Sequence, residues 1–214
     1  MMSGYNESTF QGLNDFELMA LLSKALNSDR DVDFIEAIQL ELIRRKGSYP
    51  LKTFIDLDWK FCRGGNLGPL DKKALEFLHY RGVGIIINLM AENNDEEYLV
   101  KESEFGFLYY YFPIKDFDAP ETIEIMDQII EIIIKGPFQT FIHCNGGRGR
   151  SGMVETCYLI KNTRIPFLDA MDFTLRRSKM MDGKEFEYSE SQINFMKSYW
   201  QKEYQKAERN AHCN

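Results

Sequence analysis

The chain has 214 residues, 44% hydrophobic and 28% charged, with 16 Phe and 11 Tyr, a balance that builds a core and excludes a disordered protein. Its net charge of −7 argues against a dedicated nucleic-acid binder, which needs a basic face to neutralise phosphates. The most apolar stretch, 123–134, is interrupted by Glu124, Asp127, Gln128 and Glu131, so no membrane span is expected. The N-terminus lacks the basic start and apolar run of a secretory signal. The four cysteines, Cys62, Cys144, Cys157 and Cys213, form no Cys-x-x-Cys pair, and there are three histidines. A reducing, cytoplasmic setting with no structural metal site is the expectation.

Residues 1–12 are polar. Two amphipathic helices are predicted next. One covers about 15–26, with Phe16, Leu18, Met19, Leu21, Leu22 and Leu26 apolar and Asn14 or Asp15 as cap. The other covers about 32–46, with Phe34, Ile35, Ile38, Leu42 and Ile43 on one stripe and Gly47 as the stop. They make an N-terminal helical extension, residues 1–50, whose stripes pack on the main domain or serve a partner. From residue 51 to about 208 short apolar runs alternate with helical patterns. Strands are predicted over 60–63, 83–89, 107–112 and 138–142. Helices are predicted from Pro69 to Tyr80, over 95–104, from Pro120 to near Gly136, and over 149–161, 166–178 and 189–206. This alternation implies an α/β domain with a central, mostly parallel sheet flanked by helices.

The chemistry concentrates in residues 141–152, Phe-Ile-His-Cys-Asn-Gly-Gly-Arg-Gly-Arg-Ser-Gly, between a buried strand and a helix. Ligands of such sheets bind where strands end. Asn145, Gly146, Gly147, Arg148 and Gly149 allow the backbone to curl, so that successive N–H groups and the helix N-terminus face an anion. The expected ligand is a dianionic phosphate. Cys144, beside a helix N-terminus and a cation, is the nucleophile. Arg150 returns to the rim, where its planar fork binds two phosphoryl oxygens. Ser151 donates a hydrogen bond to the sulfur when it leaves. His143 orients the loop through its ring.

His143-Cys144-x5-Arg150-Ser151-Gly152 resembles the signature of the protein tyrosine phosphatase superfamily, in its short dual-specificity branch. The resemblance covers about 51–205. Residues 61–67 are similar to the segment that opens many such domains, Ile87-Asn88-Leu89 to a family strand, and residues 188–195 to a late segment containing Gln192. The first 50 residues match nothing comparable. The resemblance implies a cysteine-phosphatase fold and phosphomonoester hydrolysis through a cysteinyl-phosphate, with no cofactor. It places the general acid ahead of the helix preceding the catalytic strand. Asp116 and Asp118 both lie there, and Asp116 fits the family pattern better, Asp118 being an alternative helix cap. By the same analogy Gln192 positions the hydrolytic water.

The sequence departs from the family at two places. Met90 stands where several relatives carry a second cysteine, so an internal disulfide with Cys144 is not expected. Arg148 adds a cation that lipid-directed relatives share and many protein-directed ones lack, while Asn145 replaces a second lysine of the lipid-directed ones; Arg148 contacts substrate or pairs with a surface acid. No long tyrosine-recognition loop precedes Phe54, which favours a shallow cleft. The substrate is therefore expected to be a phosphorylated protein, with a phosphoinositide or inositol phosphate as the alternative. A third reading is a module that binds phosphorylated partners without turnover, against which Cys144, Arg150 and Asp116 speak.

Overall fold

The run Val83–Met90 is almost wholly apolar, with three successive isoleucines, as suits a strand covered on both faces. In the computed structural model, which describes residues 10–13, 17, 18, 21, 34, 38, 41, 54–67, 72–94, 97, 100 and 104–212, this run lies inside a five-stranded sheet. The strands are β1 (Ile55–Asp56), β2 (Phe61–Gly64), β3 (Val83–Met90), β4 (Leu108–Ile114) and β5 (Gln139–His143), in the spatial order β1-β2-β5-β3-β4. β2, β5, β3 and β4 run parallel, and β1 pairs antiparallel with β2. The helices are α1 (Lys72–Tyr80), α2 (Ile123–Lys135), α3 (Gly149–Thr163), α4 (Phe167–Asp182) and α5 (Glu190–His212).

The four parallel strands all deliver their C-terminal ends to one edge of the sheet. β2 ends before Gly65 and Asn66, β3 before Glu92, β4 before Asp116 and β5 before Cys144. That geometry makes the edge the natural binding crevice. Behind it lies α3, whose residues from Arg150 to Ile160 are all buried. It touches β2, β5, α2, α4 and α5, so its N-terminus cannot drift.

The chain divides into two compact units, Met1–Tyr49 and Pro50–Asn214. Within the first, Phe10, Leu18, Phe34 and Ile38 are buried, and the Phe10 and Phe34 rings lie 6.1 Å apart. The expected helices over 15–26, 32–46 and 95–104, the start of α1 at Pro69, and Cys213 lie largely or wholly outside the described residues. Elsewhere boundaries shift. β4 begins at Leu108 and runs to Ile114, past the expected end at residue 112. α2 starts at Ile123 and not at Pro120: Thr122 is still extended (φ −139°, ψ 157°), and Pro120 is buried ahead of the helix. β1, two residues long, carries too little pattern to be read from sequence.

One polar cluster ties three helices together. Asp127 of α2 accepts hydrogen bonds from Lys161 of α3 (2.8 Å) and from Lys202 (2.6 Å) and Tyr199 (3.0 Å) of α5. Burial pulls its carboxyl up, but the three donors outweigh it and hold it at about 2, against an ordinary 3.8. A depressed acid contributes stability that is present above its unfolded value and lost as the pH falls through its folded one. Asp127→Asn is expected to cost about 1–2 kcal/mol at neutral pH, allowing for partial exposure. It should also flatten the acid limb between 3.8 and about 2. Urea unfolding across that range checks both, and equal acid sensitivity in the two proteins would contradict the assignment.

Candidate active site

β5 leads directly into the loop. His143 is buried and its ring stacks on Phe141, with centroids 5.7 Å apart. Cys144 follows at 2% exposure, its Sγ 3.5 Å from the Ser151 hydroxyl. The loop is then turned by its carbonyls. The Asn145 carbonyl accepts from the Asn66 N–H (3.1 Å), and the Gly147 carbonyl from the Arg63 guanidinium. In a trans peptide unit the N–H points opposite the carbonyl, so the amides of Gly146 and Arg148 face away from Asn66 and Arg63. Among the three loop glycines only Gly147 has a positive φ, +69°. Gly149 is closely packed: a Cβ there would lie 3.2 Å from the Phe186 ring and 3.4 Å from Gln192 Nε2, and those side chains would have to shift. Arg148 occupies the N-cap position of α3, half-buried.

Arg63 was not singled out from sequence. It is completely buried and spends its guanidinium on three partners, the Glu155 carboxylate, the Gly147 carbonyl and the Ser178 hydroxyl (2.9 Å). Glu155, also fully buried, lies 3.7 Å from Arg177 as well. Arg63 thus joins β2, α3 and α4 to the back of the loop.

Arg150 is 1% exposed and already paired. Its Nη1 and Nη2 each donate to one oxygen of Glu92 at 2.6 Å, and Nη1 also donates to the Ile114 carbonyl at 2.9 Å. Asp116 lies 3.2 Å from Nη2. Arg150 Nε has no hydrogen-bond partner among the described residues. The Glu92 carboxyl is held below its ordinary range by the Arg150 guanidinium. Glu92 was missed from sequence, although an acid just past a buried strand at the binding edge was a signal. Its place is set by Asn88, whose Oδ1 accepts from the Met90 N–H (2.7 Å) and whose Nδ2 donates to the Asn93 carbonyl (2.9 Å). The β3–β4 register shifts at this point.

The two acid candidates differ. Asp116 is 56% exposed, beside Arg150. The Asp118 carboxylate accepts from the Ser191 hydroxyl (2.6 Å) and the Ala119 N–H (2.9 Å), and these hold it below the ordinary range. It does not cap α2, the alternative considered from sequence; its hydroxyl partner is on α5. Gln192, which resemblance offers as the water-positioning residue, is fully buried and reaches the loop at Gly149.

Removing Arg63 takes from Glu155 its hydrogen-bonded partner and leaves it only Arg177 at 3.7 Å, so Arg63→Met is expected to destabilise the fold by about 3–5 kcal/mol, more than Glu155→Met adds to it in the double variant. Denaturant midpoints test this, and strictly additive effects would contradict the buried pair.

Residues 68–164 match the family model described as a polymorphic toxin system DSP-PTPase phosphatase. A curated relative, cyclin-dependent kinase inhibitor 3 of Sus scrofa, is 38% identical over 60 residues, 27% of this chain and 28% of the relative's length. Among solved structures, Tk-PTP in its active form superposes with a TM-score of 0.55 at 19% identity, over 70% of this chain and 97% of that one. PTPMT1 in complex with PI(5)P gives 0.58 at 16% identity, over 73% and 99%. These likenesses join a cysteine-to-arginine loop seated between strand and helix at the crevice of a parallel sheet. Residues 68–164 are thus similar to dual-specificity phosphatases, and the chain shares its fold with solved protein tyrosine phosphatases.

Proposed function

We propose that the chain hydrolyses phosphomonoesters in two steps through a cysteinyl-phosphate on Cys144. The observation that carries this reading is the convergence, at one sheet edge, of the Cys144 sulfur, the Ser151 hydroxyl 3.5 Å from it, and Arg150 with Asp116 3.2 Å from its fork. In the first step the Cys144 thiolate attacks phosphorus, the phosphorus–oxygen bond to the leaving group breaks, and Asp116 gives its proton to that oxygen. In the second, water attacks phosphorus, Asp116 takes the water proton, and the sulfur leaves with a hydrogen bond from Ser151. The loop amides and Arg150 stabilise the equatorial oxygens. Gln192 at the loop wall positions the water. Asp118 is a poorer acid, because its hydrogen bonds favour the ionised form.

The substrate proposed is a phosphorylated protein, phosphotyrosine first and phosphoserine or phosphothreonine also. Glu92 and Asp116 beside Arg150 suit a singly phosphorylated side chain better than a ligand bearing several phosphates. The second reading, a phosphoinositide or inositol phosphate, has Arg148 at the head of α3 in its favour. No helix among the described residues is long and apolar enough to cross a membrane. The buried free thiols Cys62, Cys144 and Cys157 fit a reducing compartment, and the cytoplasm is the proposed location.

Phosphate release from phosphotyrosine peptides, phosphothreonine peptides and phosphoinositides, side by side, tests the reading. Peptides are expected to be preferred, and Cys144→Ser to abolish turnover while retaining phosphate binding. Preference for the lipids would transfer the assignment to the second reading. Asp116→Ala is expected to slow phenyl phosphate about 10²–10⁴-fold and an activated aryl phosphate far less. If Asp118→Ala alone gave that pattern, the acid would be reassigned.

A further inference from the structure

The segment carrying Asp116 is held at its far side by the first turn of α5. Ser189 and Gln192 form a reciprocal capping pair: the Ser189 hydroxyl oxygen accepts from the Gln192 N–H (3.2 Å), and Gln192 Oε1 accepts from the Ser189 N–H (3.3 Å). What the cap leaves over goes to the acid segment. The Ser189 hydroxyl donates to the Phe117 carbonyl (2.6 Å), Gln192 Nε2 donates to the Asp118 carbonyl (3.3 Å), and the Ser191 hydroxyl donates to the Asp118 carboxylate (2.6 Å).

The held segment is one that needs holding. Phe117 has φ +58°, a left-handed backbone that a bulky residue rarely adopts unless its surroundings impose it. Its ring is 64% exposed, so ring burial does little to impose that turn. Phe117 also donates its own N–H to Asp116 Oδ1 (3.2 Å), so the twist at Phe117 aims the proposed acid.

We infer that Ser189, Ser191 and Gln192 form a latch that sets the position of Asp116, making them positioning residues for leaving-group protonation. The latch rests on the two-step reading above. A proton donor acts only within hydrogen-bond reach of the leaving oxygen, so releasing the latch weakens acid catalysis more than nucleophilic attack. Hydroxyl-to-methyl changes in the latch therefore act selectively. Their cost grows as the leaving group becomes a poorer one.

The test compares phenyl phosphate with p-nitrophenyl phosphate in the full chain. Ser191→Ala leaves the cap of α5 in place and so separates the latch from helix stability. It is expected to lower kcat on phenyl phosphate about tenfold and on p-nitrophenyl phosphate about twofold or less. Ser191→Thr, which keeps the hydroxyl, should restore most of the loss. In an Asp116→Ala background, Ser191→Ala should have no further effect. Equal losses on both substrates, or an undiminished effect in that background, would overturn the latch. Amide hydrogen exchange of residues 115–119 gives an independent readout: exchange is expected to quicken in Ser191→Ala, and unchanged exchange also overturns the inference. If the wild-type chain releases no phosphate from either ester, the two-step reading fails by itself, and the exchange experiment still decides whether α5 holds the segment.

Discussion

A guanidinium with no exposed surface lies directly behind the loop that carries Cys144. Arg63 has to be satisfied on every side, because an unpaired buried charge costs several kcal/mol, roughly as much as the net stability of a marginal domain. Its partners come from α3, from α4 and from the loop backbone, so each of these is fixed relative to β2. The curl of the loop follows. With the Gly147 carbonyl drawn back to Arg63 and the Asn145 carbonyl to Asn66, the peptide planes turn their amides away from those two residues. The proposed anion cradle backs onto a buried ion cluster.

The sheet supplies the second constraint. Parallel strands place four loops at one edge, and each contributes one kind of chemistry: a backbone prop from β2, a carboxylate partner for Arg150 from β3, the proposed proton donor from β4 and the sulfur from β5. None of these loops needs to be long. The left-handed turn at Phe117 is held by the Ser189 hydroxyl, 72 positions away in the chain.

Much of this was legible in the sequence, for local reasons. The loop from His143 to Gly152 is contiguous, and its residue types state their chemistry without reference to the rest of the chain. β3 and β5 are continuous apolar runs, and α2 shows its face through Met126, Ile129, Ile130 and Ile133. What stayed hidden depends on contacts between remote residues. Arg63 meets Glu155 across 92 positions, Arg150 meets Glu92 across 58, and Ser189 meets the Phe117 carbonyl across 72. A hydrogen bond of that span leaves no periodic trace. The start of α2 was misplaced because a proline often opens a helix, whereas here Thr122 is still extended and the helical turn begins only after it. Gln192 was legible as a residue worth naming, but its part in capping α5 needed the backbone geometry.

The pairing of Arg150 with Glu92 also bears on selectivity among anions. The Arg150 guanidinium is paired with Glu92, so an ion that binds it competes with a carboxylate, not with bulk water. An ion offering a single charge and one accessible oxygen exchanges like for like and gains little. A dianionic ester brings more charge and more acceptor oxygens, and on the proposed reading the spare Nε of Arg150 is a donor for one of them. On the proposed reading, Glu92 is a resident counterion with which a phosphate ester has to compete for Arg150.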